Sequence, residues 1–362
     1  MNTRIFLQDR IKALGRIIRK RVQVLSPDYY HLHRNTRPDP HSKSMQDELF
    51  LYLAAQPLNK YPDLTSLYKK LSVWLDIPVD HLLLTQGADD AIRTVFSALS
   101  RPGGAIACLD PSYKMYSIYA EAFDTPLRPI TPSLQDGKFS ADIKDILKAF
   151  AEGVDLFFMP NPNEPVETYF TQDEVSFIIG EADRHGVIVI VDEAYAKFGA
   201  ESISKLVTQF PNLIVIQSFS KWFGLPAIRL GYIIANSDLT RALHALRPAY
   251  ETNGLSMATA LWALDNLNYF DDYASEVIET RDWLHTQLSE IGLTSYGEYS
   301  NAIAISLSSP DEAKQIVLKL RSKGILVRNS LPSPAEHCIG VTIGSRESME
   351  RFLTLFKESL ER

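Results

Sequence analysis

The chain is constrained most by a series of short segments made almost wholly of Val, Ile, Leu and Phe, with helical patterns of apolar residues between them. Strands that lack an alternation of apolar and polar residues are covered on both faces, which is typical of parallel sheets flanked by helices. We therefore predict an α/β fold. The predicted strands of the sheet are Leu82–Thr85, Ala105–Leu109, Val154–Met159, Val187–Val191, Leu213–Gln217 and Leu230–Ala235.

Beyond residue 239 the pattern changes to longer helices, followed by a small mixture of strands and helices. Because a chain of 362 residues suits about two domains, we predict an N-terminal helix and arm over 1–40 that joins the small domain. The large sheet domain is predicted over 41–240, and linking helices with a small α+β domain over 241–362. The elements predicted after residue 239 are helices Leu239–Tyr250, Met257–Asn266 and Tyr273–Ile291, and strands Ala302–Leu307, Ile325–Val327 and Val341–Ile343.

The composition excludes several classes of protein. Hydrophobic residues make up 45% of the chain and the net charge is −7, whereas a dedicated nucleic-acid binder would carry a basic excess. Two cysteines, Cys108 and Cys338, are too few for a disulfide scaffold or a zinc ribbon, and the eight histidines show no ligand spacing, so we predict no metal site. No apolar run reaches the roughly 20 residues that span a bilayer. We expect a cytoplasmic enzyme without a nucleic-acid or membrane partner.

The segment from Arg4 to Arg21 carries seven basic residues and a single acidic one, Asp9. Its Ile and Leu residues fall close to helical spacing, which predicts a basic amphipathic helix. The segment lacks the continuous apolar stretch of a secretory signal. The favoured interpretation is a first helix that packs on the body of the protein or on a second subunit. The alternative is a membrane-surface or organelle-targeting segment.

Polar residues and glycines follow several of the predicted strands. Ligands of open α/β sheets bind beyond the carboxyl ends of the strands. Because these residues would meet at one edge of the sheet, we predict that they form a single site. The segments concerned are Gly87-Ala88-Asp89, Pro111-Ser112-Tyr113, Asn161-Pro162-Asn163, Asp192-Glu193-Ala194-Tyr195 and Ser218-Phe219-Ser220-Lys221.

Lys221 directly follows an apolar strand and the segment Ser218-Phe219-Ser220. Burial at such a position disfavours the charged form of a lysine, and a lysine whose pKa is lowered in this way can form a Schiff base with a carbonyl. The hydroxyls of Ser218 and Ser220 and the guanidinium of Arg229 suit a phosphate group. Taken alone, this segment could be a surface turn, but together with the other strand ends it favours a site.

Asp192 ends another apolar strand and could pair with a pyridinium nitrogen, which keeps a pyridine ring protonated and able to accept electrons. The alternative is that Asp192 caps the following helix. Tyr195 could donate a hydrogen bond to the oxygen O3′ of such a ring. Gly87 opens a predicted helix whose free N–H groups could bind a phosphate. Tyr113 could stack on a flat ring, or could be a core aromatic.

These motifs stand in the order found in fold-type I pyridoxal-phosphate aminotransferases, and the chain resembles the histidinol-phosphate aminotransferase branch of that family. Tyr61-Pro62-Asp63, Gly324 to Asn329 and Thr342 to Arg346 add to the resemblance, which covers the chain from about Leu32 to about Phe352. The resemblance implies the fold of that family: a large domain with a mostly parallel seven-stranded sheet flanked by helices, and a small α+β domain. It also implies a homodimer in which Tyr61 reaches the cofactor of the partner subunit.

The resemblance further implies a role for each matching residue. Lys221 would bond covalently to pyridoxal 5′-phosphate and act as the general acid and base, with Asp192 on the ring nitrogen. Tyr113 would stack on the ring, Tyr195 would bind O3′, and Arg328 would hold a phosphate or another acidic group at the far end of the substrate. The residues implied around the phosphate are Gly87, Ala88, Asp89, Ser218, Ser220, Arg229 and the partner's Tyr61. The implied reaction moves an amino group between a donor amino acid and a small keto or amine substrate.

One departure from the family pattern lies at Glu164, where the residue before Pro165 is usually Asn. A carboxylate beside a phenolate is repulsive, so one of the two groups should hold a proton. We predict that Glu164 raises the pKa of the lysine–cofactor linkage, or turns away and leaves O3′ to Tyr195 and Asn163. In addition, Val166-Glu167 replaces the usual Thr-Gly, which changes the geometry of this loop.

A second departure lies at Gly340, where the family has an arginine that binds the α-carboxylate of the substrate. Loss of such a bidentate contact should cost about 1.5–3 kcal/mol. Either the substrate lacks an α-carboxylate or another arginine replaces the missing one. Arg34 and Arg37 are the candidates, and Asn35 lies in the same substrate-binding segment.

The missing arginine also leaves the type of reaction open. An arginine that holds the carboxylate in the plane of the cofactor ring directs cleavage to the Cα–H bond, as transamination requires. Without it the carboxylate can turn out of the plane, so a decarboxylase that acts on threonine or serine phosphate is the alternative. A catalytically silent ligand-binding protein is a further alternative, which the presence of Lys221, Asp192 and Arg229 disfavours.

Overall fold

The computed structural model describes residues 29–329 and 331–361. The predicted basic helix between Arg4 and Arg21 lies outside the described residues. Strands are labelled β1–β14 and α-helices α1–α11 in chain order. Three short 3₁₀ helices, Val79–His81, Ser204–Thr208 and Pro226–Ile228, connect some of them.

The centre of the molecule is a seven-stranded sheet, which confirms the predicted α/β class. Its order is β2-β10-β9-β8-β7-β3-β4, and β10 alone runs antiparallel to its two neighbours. The strands are β2 (Leu82–Thr85), β3 (Ile106–Leu109), β4 (Leu127–Ile130), β7 (Leu156–Pro160), β8 (Ile188–Asp192), β9 (Leu213–Ser218) and β10 (Gly231–Ala235).

Helices cover both faces of this sheet because successive strand residues point to opposite sides and both sides are apolar. Val189 and Val215 belong to one buried cluster, whereas Ile190 and Ile214 belong to the other. The helices of the described chain are α1 (Lys43–Ala54), α2 (Thr65–Leu75), α3 (Ala88–Leu99), α4 (Met115–Ala122), α5 (Ile143–Ala151), α6 (Gln172–Arg184), α7 (Ser237–His244), α8 (Gly254–Asp265), α9 (Asn268–Glu290), α10 (Pro310–Ser322) and α11 (Arg346–Leu360).

In the described part of the chain, three smaller sheets lie outside the large one, two of them formed by strands of the last third of the chain and by β1. An antiparallel sheet has the order β11-β12-β14, and β1 pairs in parallel with β13. A separate hairpin joins β5 to β6. The strands are β1 (Tyr30–Leu32), β5 (Ser133–Gln135), β6 (Lys138–Ser140), β11 (Ser295–Tyr296), β12 (Ala302–Ser306), β13 (Ile325–Val327) and β14 (Cys338–Thr342). The β1–β13 pair carries the following segment, residues 33–37, toward the carboxyl edge of the large sheet.

Some element boundaries differ from the sequence prediction. The helix predicted over 239–250 begins at Ser237 and ends at His244, before Pro248, a residue that would break the interior of a helix. The helix predicted from Tyr273 begins five residues earlier, at Asn268. The predicted division into domains stays a prediction. Within the described ranges, no helix is both long enough and apolar enough to cross a membrane.

Candidate active site

A cavity of about 780 Å³ opens at the carboxyl ends of the large sheet. It brings together many residues that are far apart in the chain and that the sequence singled out separately. The predicted site residues that line it are Ala88, Asp89, Tyr113, Glu164, Asp192, Tyr195, Ser218, Ser220, Lys221, Arg229 and Arg328. The sequence did not single out Thr36, Cys108, Lys114 and Tyr116, which also line the cavity.

Lys221 follows β9 and points into this cavity. Its Nζ donates hydrogen bonds to the backbone carbonyl of Asn35, at 2.7 Å, and to that of Arg34, at 3.3 Å. The ammonium also lies 5.2 Å from the centre of the Tyr195 ring. Burial, with the positive charge of Arg328 nearby, lowers the pKa of Lys221 to about 8. Close to neutral pH this amine can therefore lose its proton and act as a nucleophile or base.

Asp192 is the last residue of β8, and its buried carboxylate takes one donor on each oxygen. The hydroxyl of Tyr116 donates to Oδ2 at 2.7 Å, and the backbone N–H of Ala194 donates to Oδ1 at 3.0 Å. Burial raises the pKa of Asp192, whereas these two hydrogen bonds lower it. The sequence did not point to Tyr116, although its position one helical turn after Tyr113 could have suggested that both face the cavity.

The other end of the cavity resembles an anion site. Arg229 has left-handed backbone and donates from Nη1 to the carbonyl of Pro226 at 3.0 Å. A Cβ on Gly87 would lie 2.7 Å from Arg229 Nη2, and the φ of Gly87 is +80°. At the end of the neighbouring strand β9, the hydroxyl of Ser218 donates a 2.9 Å hydrogen bond to the hydroxyl of Ser220. These groups surround the N-terminus of α3, whose free N–H groups favour a phosphate.

Tyr195 and Tyr113 lie on the walls between these two ends. Burial raises the pKa of Tyr195, and the carboxylate of Glu164 adds to this rise. The Tyr195 hydroxyl accepts a long hydrogen bond, 3.4 Å, from Nδ2 of Asn35. The Tyr113 ring is 48% exposed and stands edge-on to Tyr116, with 6.0 Å between ring centres. Tyr113 is therefore a cavity-wall residue and not a core aromatic.

Asn163 and Glu164 are neighbours in the chain, but only Glu164 lines the cavity. Asn163 is fully buried outside the cavity wall, and its Nδ2 donates to the carbonyls of Pro111 and Val166 at 3.0 and 2.9 Å. Because these bonds turn its amide away from the cavity, the expectation that Asn163 binds O3′ is corrected here. Glu164 does line the cavity, and its Oε1 accepts a 2.5 Å hydrogen bond from the hydroxyl of Ser300.

The structure does not bring Arg34 or Arg37 to the cavity wall. The guanidinium of Arg37 lies 4.2 Å from the centre of the Tyr273 ring, where it makes a cation–π contact, and Arg37 does not line the cavity. Arg34 is exposed, and its Nε donates to Nε2 of His33 at 3.1 Å. The expectation that Arg34 or Arg37 binds the α-carboxylate of the substrate is therefore corrected here. Asn35 lies behind the wall, where its backbone N–H donates to the hydroxyl of Thr342 at 3.0 Å.

Gly340 lies in β14 directly behind Arg328. A Cβ at this position would lie 3.2 Å from Cβ of Arg328 and 3.3 Å from a methyl group of Leu331. The stem of Arg328 therefore occupies the space beside Gly340. Arg328 itself lines the cavity, as the resemblance implied.

The changed residue Glu167 ties the Glu164 loop to the turn before β12. Its carboxylate accepts the backbone N–H of Glu298 at 2.5 Å and that of Tyr299 at 3.0 Å. Burial, with Glu164 nearby, raises the pKa of Glu167 to about 7. The loop that carries Glu164 is therefore fixed to the small sheet by these hydrogen bonds.

Tyr61 lies away from the cavity of its own chain. Its side chain is 80% exposed and stacks on Tyr250, with 4.5 Å between ring centres. It borders a second cavity of about 770 Å³, to which Arg229 also contributes. Within residues 29–329 and 331–361 there is no cluster of His, Cys, Asp and Glu that could hold a metal ion.

Comparison with known proteins gives a consistent result. The family model for aminotransferase class I and II matches residues 25–356. A histidinol-phosphate aminotransferase of Brachyspira hyodysenteriae is 33% identical over 359 residues, which cover 97% of this chain and 98% of that protein. The crystal structure of histidinol-phosphate aminotransferase from Sinorhizobium meliloti in complex with pyridoxal-5′-phosphate aligns with a TM-score of 0.83 at 18% identity, over 99% of this chain and 95% of that one. L-threonine-O-3-phosphate decarboxylase from Porphyromonas gingivalis has the same fold, with a TM-score of 0.75 at 18% identity, over 92% of this chain and 99% of that one.

Proposed function

This chain belongs to the class I and II aminotransferases, and we propose that it moves an amino group between a donor amino acid and a small keto or amine substrate that is phosphorylated or otherwise acidic at its far end. The observation that carries the proposal is the position of Lys221. It is a partly buried amine with a pKa of about 8, in one cavity with Asp192 and Arg229.

Pyridoxal 5′-phosphate is the cofactor of this enzyme, and when bound its ring withdraws electrons from the substrate carbon that carries the amino group. The residues present fit this group. Gly87 has no Cβ, and a Cβ there would lie against the guanidinium of Arg229. The glycine therefore leaves space in which a phosphate oxygen can approach the N-terminus of α3. The buried carboxylate of Asp192 offers a negative charge to a ring nitrogen, with the amine of Lys221 in the same cavity.

Lys221 would hold the cofactor covalently and then move a proton at the reacting carbon. Its lowered pKa makes the neutral amine accessible near neutral pH, as both tasks require. The backbone carbonyls of Asn35 and Arg34 accept hydrogen bonds from Nζ and thereby orient the amine. Asp192, oriented by Tyr116, would keep the ring nitrogen protonated, and Tyr195 would donate a hydrogen bond to O3′.

We propose that Arg328 holds the acidic end of the substrate. Arg328 lines the same cavity as Lys221 and Tyr195, and its guanidinium lies 3.9 Å from the carboxylate of Glu164, which also lines this cavity. The names of the relatives, histidinol-phosphate aminotransferases, support a phosphorylated substrate as one member of this class.

We further propose a homodimer in which Tyr61 completes the site of the partner subunit. Its exposed ring and the exposed apolar side chains Phe50, Leu51 and Leu58 are costly in a monomer. Arg229 lines both the main cavity and the second cavity beside Tyr61, so the phosphate end of the site can be reached from that face. The cytoplasmic location stays a prediction.

Decarboxylation of a phospho-amino acid is the second candidate, and Gly340 is the observation that favours it. The glycine supplies no guanidinium to hold an α-carboxylate in the plane of the cofactor ring. Transamination stays first because the family and the sequence relatives are aminotransferases.

A screen of half-reactions tests the proposal. The cofactor-loaded enzyme is mixed with amino acids, phosphorylated amines and amino sugars, and its visible absorbance and the products are followed. A transaminase converts its cofactor to the aminated form and releases a keto product. Release of carbon dioxide with no net change of the cofactor would instead identify the decarboxylase.

A further inference from the structure

Glu164 and Arg328 place opposite charges on the substrate side of the cavity. Glu164 Oε2 lies 3.9 Å from Arg328 Nη1, which is too far for a hydrogen bond but close enough for a strong attraction. The other carboxylate oxygen is held by the hydroxyl of Ser300 at 2.5 Å. Ser300 therefore fixes the carboxylate at a distance from which it faces the guanidinium without being bonded to it.

Both charges act on the reacting centre. The carboxylate of Glu164 raises the pKa of Lys221, and the guanidinium of Arg328 lowers it. The same two groups act in opposite directions on Tyr195. A ligand that lies beside Lys221 therefore meets one positive and one negative charge on this side, with a sum of zero.

No second guanidinium reinforces Arg328 from the neighbouring strand. Gly340 exchanges two backbone hydrogen bonds with Arg328, at 2.8 and 3.2 Å, and the arginine stem fills the space where a side chain would stand. Arg229 lies at the phosphate end of the cavity. Lys114 also lines the wall but is exposed at the surface, where water screens its charge.

We propose that Glu164 limits the group bound by Arg328 to a single negative charge, so that this subsite accepts a carboxylate or a singly protonated phosphate ester and rejects a phosphate dianion. The inference rests on the proposed aminotransferase function and narrows its substrate class. A substrate carboxylate can bind the guanidinium of Arg328 while Glu164 keeps its hydrogen bond from Ser300. A dianion brings a second negative charge against Glu164, and among the described residues of this side of the cavity the only other partly buried cation is Lys221, which would be bonded to the cofactor in the loaded enzyme.

A phosphate ester that retains one proton escapes this repulsion, because its O–H can donate a hydrogen bond to Glu164. The second pKa of such an ester is about 6. Acceptance of phosphorylated substrates should therefore decline as the pH rises above that value. Acceptance of carboxylate substrates should not show this decline.

Other groups near Glu164 also titrate or carry charge, namely Glu167 on the same loop, Lys221 and Tyr195 across the cavity, and Arg328. The pKa of Glu167 is about 7, which falls in the same pH range. Titration of these protein groups affects every substrate, whereas titration of the ester affects phosphorylated substrates only. A carboxylate substrate measured at the same pH values therefore separates the two causes.

The experiment compares glutamate with O-phosphoserine, which differ mainly in the acidic end, and 4-aminobutyrate with phosphoethanolamine, which lack an α-carboxylate. Half-reactions of the cofactor-loaded enzyme are measured between pH 5.5 and 8 for the natural chain, for Glu164→Gln and for Glu164→Asp. A second readout needs no turnover: the equilibrium binding of inorganic phosphate and of acetate, followed by the visible absorbance of the loaded enzyme.

For the natural chain we expect the kcat/KM ratio of phosphorylated to carboxylate substrate to fall by about tenfold for each pH unit above about 6. Glu164→Gln should remove this fall, and Glu164→Asp, which keeps the charge, should retain it. Binding of inorganic phosphate should decline in the same direction, but at a higher pH than for the esters, because inorganic phosphate holds its second proton more strongly than an ester does. A ratio that does not change with pH, or a fall that persists in Glu164→Gln, would overturn the proposal.

A loaded enzyme that reacts with none of the amino compounds would contradict the proposed function. In that case the binding of phosphate and acetate still tests whether Glu164 limits the group bound by Arg328 to a single negative charge. Phosphate bound equally well at pH 5.5 and pH 8 by the natural chain would contradict the inference even if transamination is observed.

Discussion

The hydroxyl of Tyr116 donates a 2.7 Å hydrogen bond to Oδ2 of Asp192, and both side chains are buried at the base of the cavity. A buried carboxylate loses the hydration that stabilises its charge. Tyr116 and the backbone N–H of Ala194 supply the two hydrogen bonds that replace part of it. The ability of Asp192 to hold a cationic ring nitrogen therefore depends on a tyrosine that need not touch the cofactor.

Replacing Tyr116 by phenylalanine should weaken cofactor binding. Loss of one hydrogen bond to a charged, buried group corresponds to about 1.5–3 kcal/mol, or roughly ten- to hundredfold in the dissociation constant. The measurement is a titration of the protein with pyridoxal 5′-phosphate. Tyr232→Phe is the matched control, because it removes a buried hydroxyl that donates at 2.6 Å to Gln217 instead. Equal dissociation constants for the two variants would contradict the positioning role of Tyr116.

Lys221→Ala should abolish covalent attachment of the cofactor, since Lys114, the other lysine among the described residues that line the cavity, is exposed at its wall. After loading, borohydride treatment and denaturation, mass spectrometry should find the cofactor on the natural chain and not on the variant. Lys197→Ala serves as the control, because Lys197 is exposed and packs over Trp74 and Trp222. Cofactor retained on the denatured Lys221→Ala chain would refute the assignment.

Gly87→Ala should reduce the preference for a phosphorylated cofactor. The added Cβ would lie 2.7 Å from Arg229 Nη2 and displace the guanidinium. We expect the affinity for pyridoxal 5′-phosphate to fall by at least about tenfold, as is usual for the loss of a charge-assisted contact, and the affinity for pyridoxal to change little.

The control for this variant is Gly137→Ala. Gly137 has the same φ of +80°, but nothing lies within 4 Å of its added Cβ. Both variants therefore place an alanine at a positive φ, and only one of them crowds Arg229. If Gly137→Ala changed the preference as much as Gly87→Ala, the cradle would not be the cause.

The lowered pKa of Lys221 predicts a pH-dependent cost to the stability of the cofactor-free protein. The pKa falls from 10.5 to about 8 on folding, so the penalty is fully present below pH 8 and is lost as the pH rises toward 10.5. Lys221→Met should therefore be more stable than the natural chain by up to about 3 kcal/mol at pH 7, and by about half of that at pH 9.5. Urea unfolding at the two pH values measures the difference. A difference that is independent of pH would contradict the shifted pKa.

The strands of the large sheet could be predicted closely from the sequence, because apolar residues on both faces leave few other structures. The predicted strand Leu213–Gln217 extends by one residue to Ser218, and Leu82–Thr85 is unchanged. β4 (Leu127–Ile130) was missed, because it contains Arg128 and Pro129 and lies at the edge of the sheet. An edge strand has fewer apolar residues to reveal it.

Contacts between distant segments could not be predicted in the same way. Ser300 meets Glu164 from 136 positions away in the sequence, and nothing in either local pattern indicates the pairing. Arg37 packs over the ring of Tyr273 by a contact of the same long-range kind. Residue type and strand position therefore indicated which side chains reach the cavity edge, whereas the partners that aim those side chains became visible only in three dimensions.

The hydrogen bond from Asn35 to Thr342 joins residues that are 307 positions apart. A chain still emerging from the ribosome could form much of the large sheet and its anion cradle before Thr342 is synthesised, but it would have no wall behind Lys221. We therefore expect pyridoxal 5′-phosphate to bind after synthesis of the chain is complete rather than during it. A chain truncated before Thr342 would retain the residues that bind the phosphate but would lack a complete cavity around Lys221.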